Sequence, residues 1–364
     1  MKKKYLFGLL SLLFVMLLIS CSSKKDEKVY FESWNECTSL TALKEYVEDV
    51  TNEKSANYIP VEDRIATFDM DGTFIGELYP SYFEYNMLEY RVLDDPTYKD
   101  IAPSDVVETA QDIRDFVRTG KSLPRYNDEY GFDIKHAYAA AKAYSGMTIA
   151  QFDQYVKDFA SKSVNGFSNM TYAKSFYQPM LEVFDYLDDN DFTFYVISGS
   201  DRFICRSLVE SIGIPANRVI GMDVELKTTE QGDEAGVNYT CGVNEKLIRT
   251  DNLLIKNLKT NKVKQIAQEI GKIPVLSFGN SGGDSAMHNY CLSNSYKSMT
   301  FMLVADDDTR DHAKKYGEDD EAFNARIAKL NSDWTKANYN VISMKNDFKT
   351  IYGTNVIKTD FVYQ

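Results

Sequence analysis

The sequence predicts an α/β fold: a parallel sheet with flanking helices, interrupted after its first strand by a helical insert. Three patterns carry this. A short apolar run, Arg64 to Phe68, reads as one buried strand. The next hundred residues, 77 to 177, show helical periodicity, as in MTIAQFDQYVKDFASKS, and little sign of a strand. After Pro179 helix and strand then alternate, and such alternation folds as right-handed βαβ units with a parallel sheet.

In chain order, LTALKEYVEDVTNE (40–53) places Leu40, Leu43, Tyr46, Val47 and Val50 at helical spacing. After the first strand and the insert, MLEVFDYLDDN reads as helix and FTFYVIS as strand; DRFICRSLVESIG and NRVIGMDV repeat the pair. VKQIAQEIG is a further helix, and PVLSFG and TFMLVA are further strands. No internal repeat is evident.

The first residues stand apart. Lys2, Lys3 and Lys4 precede the apolar run YLFGLLSLLFVMLLIS, which ends at Cys21. A basic segment before a short apolar one is an export signal, and this run is short for a membrane span. Leu18-Ile19-Ser20-Cys21 resembles the lipobox of bacterial lipoproteins, which implies cleavage of residues 1–20 and lipidation of Cys21. The expected location is therefore extracytoplasmic, membrane-anchored through that lipid, in a bacterium. Residues 21–35, beginning SSKKDEK after the cysteine, are expected to be a flexible tether.

The 364 residues are 44% apolar and 26% charged, the balance of a folded protein with a sizeable core. Formal charge is 41 − 54 = −13, and losing Lys2 to Lys4 makes it −16. So acidic a surface argues against nucleic-acid partners, which need basic phosphate contacts. No protein partner can be inferred. Cys37, Cys205, Cys241 and Cys291 show no CxxC spacing; Cys205 and Cys291 sit among apolar residues and read as buried thiols. The histidines His136, His288 and His312 share no metal-ligand spacing.

Ligands of open α/β sheets bind at the carboxyl ends of the strands. Three apolar runs end there in chemically active residues: Asp69 and Asp71 in FDMDGT, Ser198, Gly199 and Ser200 in YVISGS, and Gly279, Asn280 and Asp284 in FGNSGGD. A carboxylate can attack phosphorus to form an aspartyl-phosphate, a role that fits Asp69. A second carboxylate two residues on, Asp71, fits general acid and then base. Gly72 lets the chain approach a ligand closely, and Thr73 can bond the turn. Anionic phosphate beside two carboxylates needs a cation, and Mg2+ takes oxygen ligands such as Asn280 and Asp284 supply. Ser198 and the amides after it suit phosphoryl oxygens. A fixed cation should complete the site; Lys262 is the favoured residue, with Lys259 and Lys264 as rivals.

This ordered set resembles the haloacid dehalogenase (HAD) superfamily of Mg2+-dependent phosphohydrolases, in its phosphoserine phosphatase-like branch with exported bacterial members. The similar segments run through RIATFDMDGTFIGE, the stretch from QPMLEVF to NRVIG, NKVKQIAQEIGKIPVLSFGNSGGDSAMH and FMLVADDDTRDHAK. The resemblance implies a Rossmann-like core over 36–76 and 178–364, with 77–177 a helical cap that closes over the site. It implies Asp69 as nucleophile and Asp71 as acid–base. Ser198, Gly199 and Lys262 then bind phosphate, and Asp69, Asp71 (through its backbone oxygen), Asn280 and Asp284 hold Mg2+. Many members carry Asp where this chain has Asn280, an amide that ligates without charge. Glu77, at the cap hinge, is placed to read a cationic group on the substrate. The expected activity is hydrolysis of a small phosphomonoester; the alternative is a lipoprotein that captures a phosphorylated small molecule without turnover.

Overall fold

The computed structural model describes residues 28–77, 81–127 and 129–363. The expected signal peptide at 1–20 and the expected lipidation site Cys21 lie outside them. No helix among the described residues is long and apolar enough to cross a membrane.

After α1 (Thr38–Thr51) comes β1 (Ile65–Phe68), buried at every position. Four helices follow before the sheet resumes: α2 (Phe83–Leu93), α3 (Ser104–Thr119), α4 (Phe132–Ala143) and α5 (Ile149–Ala160). They form the helical cap, closed around Phe83, Tyr144, Phe152 and Phe159. A two-residue strand, β2 (Phe167–Ser168), and α6 (Gln178–Asp188) lead back to β3 (Thr193–Asp201). Then come α7 (Arg202–Val209), β4 (Val219–Thr228), β5 (Leu247–Ile255), α8 (Thr260–Glu269), β6 (Leu276–Gly279) and α9 (Ser285–Leu292). The chain finishes with β7 (Met299–Val304), α10 (Asp320–Lys336), β8 (Asn340–Ser343), the single turn α11 (Met344–Asp347) and β9 (Ile357–Lys358).

The sheet runs β5-β4-β3-β1-β6-β7-β8. Every pairing in it is parallel except β4 with β5. The predicted fold class is the one observed, with two additions to the sheet that sequence periodicity did not reveal: the parallel edge strand β8 and the antiparallel edge strand β5. Its LIRTDNLLI carries Arg249 and Asp251 where a buried strand would be apolar. Arg249 serves the cap: its guanidinium lies 3.9 Å over the Phe152 ring, while its main chain bonds Met147 O at 2.9 Å and Gly146 N–H at 2.8 Å.

The core around β1 is an aromatic ladder. Phe68 stacks on Phe278 at 4.3 Å and 3°, and Phe278 on Phe301 at 4.9 Å and 8°. Phe184 of α6 closes on Phe68 at 4.6 Å, in the tilted geometry aromatic pairs favour. The tether is shorter than expected: Phe31 and Trp34 are buried, Trp34 Nε1 donates to Pro179 O at 2.8 Å, and Phe31 meets Tyr186 edge-on. Two large aromatics in a charged stretch are enough to dock residues 30–35 on α6.

The cap touches the core at two further places. The pairing of β2 with β9 ties the end of the cap to the C-terminal segment, supported by Thr359 N–H to Gly166 O at 2.8 Å. On the other side Arg249, with no exposed side-chain surface, pairs with Asp201 at 2.6 Å and lies 3.9 Å over the Phe152 ring.

Candidate active site

Register builds the site. Phe68 of β1 pairs with Val196 of β3 and Phe278 of β6, so residue 69 emerges between the ends of both neighbours. Asp69 N–H still donates to Phe278 O at 2.9 Å, continuing the ladder one residue past the strand. Asp69, Ser198, Gly279 and the loop to Asp284 are thereby brought to one edge.

Asp69 is buried. Lys262 Nζ lies 2.5 Å from Asp69 Oδ1 and 2.7 Å from Asp284 Oδ1, and Thr73 Oγ1 donates to Asp69 Oδ2 at 3.3 Å. Burial, then the Asp284 charge, push the Asp69 carboxyl above the usual carboxylate range, with Lys262 opposing. Asp284 goes the other way: burial would raise it, but the Lys262 ammonium holds it below its ordinary value. Burial alone would lower Lys262, and the two carboxylates raise it instead. Lys262 is fully charged in this setting. Its rivals Lys259 and Lys264 are exposed.

The remaining Asp284 oxygen is engaged too. Oδ2 accepts from Asn280 N–H and Ser281 N–H, both at 3.1 Å. Asp284 thus folds its own loop and grips Lys262. Gly279 is required here because a Cβ would come within 2.6 Å of the Asp284 Cβ. Gly282 and Gly283 have no such need; their φ angles are ordinary, and at Gly282 the space is open.

Asp71 sits at the mouth, where Ser200 Oγ donates to its Oδ2 at 2.7 Å. Burial pushes its carboxyl up to about 6, against the Ser200 bond, and the nearby Glu84 and Glu77 charges add to the rise. A carboxyl raised this far titrates close to neutral pH, as a group that acts first as acid and then as base requires. Ser200 carries no signal in the sequence beyond following Ser198, and its contact with Asp71 spans 129 residues.

Ser198 is fully buried; its Oγ accepts from Ser200 N–H at 3.0 Å and its carbonyl accepts from Asn257 Nδ2 at 3.0 Å. The turn carrying the amides of Gly199 and Ser200 is held by these bonds. A Cβ on Gly199 would press on Leu258 at 2.6 Å. Glu77 is half-buried beside Gly72, with Tyr82 donating to it; burial raises its carboxyl, and the Tyr82 bond opposes.

Among the described residues, no three His, Cys, Asp or Glu side chains converge as a metal cage. The donors present are instead mixed: the Asp69 and Asp284 carboxylates, the Asn280 amide and main-chain carbonyls. They are oxygens throughout, and few, which suits Mg2+, an ion that keeps several waters. Gly72 lets the Asn280 side chain pack closely against the turn after β1. It has φ +77°, and a Cβ there would run into the Asn280 side-chain amide.

A second charged cluster went unnoticed in the sequence. Glu84 of α2 accepts from Lys256 Nζ at 2.9 Å and from Asp201 N–H at 3.2 Å, so the cap meets the end of β3 through a buried carboxylate. His136 stands behind it, fully buried and pushed down to about 4 by burial, hence neutral at pH 7. The partners lie 172 and 117 residues apart, and no local pattern announces them.

No protein-family model matches the chain, and no curated protein does. Solved structures do match. A conserved functionally unknown protein from Anaerococcus prevotii DSM 20548 is similar at 14% identity, with a TM-score of 0.50, over 89% of this chain and 98% of that one. Cytosolic 5'-nucleotidase IIIB bound to cytidine is 12% identical, with a TM-score of 0.46, over 85% of each chain. A phosphoserine phosphohydrolase-like protein from Francisella tularensis subsp. tularensis SCHU S4 is 11% identical, with a TM-score of 0.36, over 66% of this chain and 88% of that one. The likeness to the Anaerococcus protein covers 89% of this chain and 98% of that one and is one of fold.

Proposed function

We propose that the chain is a haloacid dehalogenase-type phosphatase that hydrolyses a small phosphomonoester through Asp69. The observation that carries this reading is Lys262, buried and charged between Asp69 and Asp284 at the end of β1, with Asp71 set above them on Ser200. Such a cluster costs folding energy, and a receptor for phosphate has no need of a carboxylate beside its anion.

The roles follow from the bonds. Lys262 fixes Asp69 Oδ1 and turns Oδ2, held only by Thr73 at 3.3 Å, toward the substrate. Oδ2 attacks phosphorus; the O–P bond forms as the bond to the alcohol breaks, and Asp71 gives its proton to the leaving oxygen. Asp71, now a carboxylate, takes a proton from water, whose oxygen attacks the same phosphorus and returns Asp69 as a carboxylate with release of phosphate. Ser198, the Gly199 amide and the third N–H of Lys262 hold the phosphoryl oxygens. Mg2+ would be held by Asp69, the Asp71 carbonyl and the Asn280 amide, with Asp284 behind, and supplies charge neutralisation between nucleophile and phosphate. The cap excludes water from the site. Export and lipid anchoring at Cys21 complete the proposal on the strength of the N-terminal sequence alone.

The test is phosphate release from a panel of small phosphomonoesters by the full-length chain, with and without Mg2+, beside Asp69→Asn. Metal-dependent release that the substitution abolishes is expected. Ligand binding without release from any ester would replace the phosphatase with a capture protein.

A further inference from the structure

Strand β3 does not run straight to its end. It advances four residues, from Ile197 to Asp201, while its partner β4 advances two, from Ile220 to Met222. Ser198, Gly199 and Ser200 therefore leave the ladder as a bulge, a device that re-aims groups beside active sites. Gly221 of β4 lets the bulge lie close, since a Cβ there would come within 2.7 Å of Ser200 O. A bulge deprives main-chain groups of ladder partners, and buried ones must find others.

Those partners come from one buried cluster. At the entry to the bulge, Ser198 O accepts from Asn257 Nδ2 at 3.0 Å. At its exit, Asp201 N–H donates to Glu84 Oε2 at 3.2 Å. The other Glu84 oxygen accepts from Lys256 Nζ at 2.9 Å, and Lys256 is the chain neighbour of Asn257. Asn261 Nδ2 donates to Lys256 O at 3.0 Å, which fixes that segment in turn. Glu84, Lys256 and Asn257 are 6%, 7% and 0% exposed. Only Glu84 among them belongs to the cap, on the first turn of α2.

Docking alone does not call for a carboxylate here. Apolar residues of similar volume would seat the helix without the desolvation cost, and Arg249 and the β2–β9 pairing already tie cap to core. A carboxylate bonded to a main-chain N–H does what an apolar contact cannot: it fixes the orientation of that peptide.

We infer that Glu84 is a positioning residue for phosphate. From the cap it fixes the bulge whose Ser198 hydroxyl and Gly199 amide receive the phosphoryl oxygens, so the phosphate site is complete only with the cap seated. The inference rests on the phosphatase reading, which assigns those groups to phosphate. Coupling between two sites is reciprocal, so phosphate on the bulge must also strengthen the Glu84 bond.

The experiment compares two double variants of the full-length chain, Glu84→Gln with Lys256→Met and Glu84→Leu with Lys256→Met. Both remove the two buried charges together, which leaves neither uncompensated. Glutamine keeps an acceptor for Asp201 N–H and leucine does not. Binding of inorganic phosphate is measured calorimetrically in Mg2+. The leucine variant should bind phosphate roughly tenfold more weakly than the glutamine variant. Equal affinities would overturn the inference. A second measurement uses the unsubstituted protein and so does not depend on the variants folding. Phosphate should slow hydrogen exchange at Asp201 N–H more than at Gly146 N–H, whose bond to Arg249 O also joins cap to core. Equal slowing, or none, would overturn the inference. A chain that binds no inorganic phosphate at all would overturn the phosphatase reading itself, and the inference with it.

Discussion

Lys262→Met offers the sharpest test of the buried charge cluster, because methionine fills nearly the same volume and removes only the ammonium. The lysine is 1% exposed and lies 2.5 and 2.7 Å from two carboxylates that are themselves buried. Removing one partner of a buried pair costs about 3–5 kcal/mol, since the charge left behind stays desolvated. Asp69 and Asp284 can relieve that cost by protonating, and this sets the pH dependence. In the variant both carboxyls have folded pKa values above the unfolded value of roughly 3.9. A raised carboxyl pKa leaves stability intact below the unfolded value and removes it as pH climbs, at about 1.4 kcal/mol per pH unit for each group held protonated in the fold. The variant should therefore match the parent protein at pH 4 and fall about 3–5 kcal/mol below it by pH 8. Urea unfolding at several pH values reads this out. Trp34 is buried in the core, so intrinsic fluorescence follows the relevant unit. A difference under about 1 kcal/mol that does not change with pH would refute the reasoning.

Gly72→Ala forces a side chain into φ +77° and against the Asn280 amide. It should cost about 1–2 kcal/mol of stability and, by displacing Asn280, on the order of a hundredfold in phosphate release. An unchanged rate would remove Asn280 from the site. His136 has a folded pKa of about 4 against an ordinary 6.5, lowered by burial, with Glu84 opposing the shift and Lys256 adding to it. A depressed folded value means stability is whole above pH 6.5 and is lost as pH falls toward 4, by about 3 kcal/mol in all. His136→Gln should remove that acid loss, so the two proteins must draw together in urea midpoint between pH 7 and 4.5; parallel midpoints would contradict it. Cys21→Ala should abolish lipid labelling and release the protein from the membrane fraction or leave it unprocessed; unchanged labelling would refute the lipobox.

The strand ends were legible because each is an apolar run stopped by a residue no core would accept. Phe68 to Asp69 is such a stop; Ser198, Gly199 and Ser200, expected after their strand, instead lie within β3 at its register shift, and Gly279 is the last residue of β6, and parallel pairing made all of them neighbours. Choosing among three lysines was harder, since the sequence around Lys259, Lys262 and Lys264 offers each a place on the same helix. The first turn of α8 decides it: Lys262 is buried with Ile266 on the face toward the sheet, while the other two are exposed. Strand β5 was illegible because its polar residues answer to the cap and not to the sheet. Ser200 was singled out at a strand end but not its bond to Asp71, and Lys256 and Arg249 were missed, for one reason, that each has its partner 48 or more residues away.

The distribution of these long-range partners has a consequence for ligand binding. Where cap and core meet, Glu84 has Lys256, Asp201 has Arg249, and Asp69 and Asp284 share Lys262. Desolvated carboxylates are costly without such partners. Yet Asp71, Glu77 and Asp311 have no ion-pair partner among the described residues, and burial has raised all three. They are also the carboxylates that face the open space, one at the reaction centre and two along the cavity between the cap and the segment after β7. A fold that pairs its buried carboxylates so thoroughly elsewhere leaves these three without a bonded cation where ligands enter. In the proposed reaction Asp71 gives its proton to the leaving oxygen, and a buried carboxyl with no ammonium bonded to it is the one suited to hold that proton.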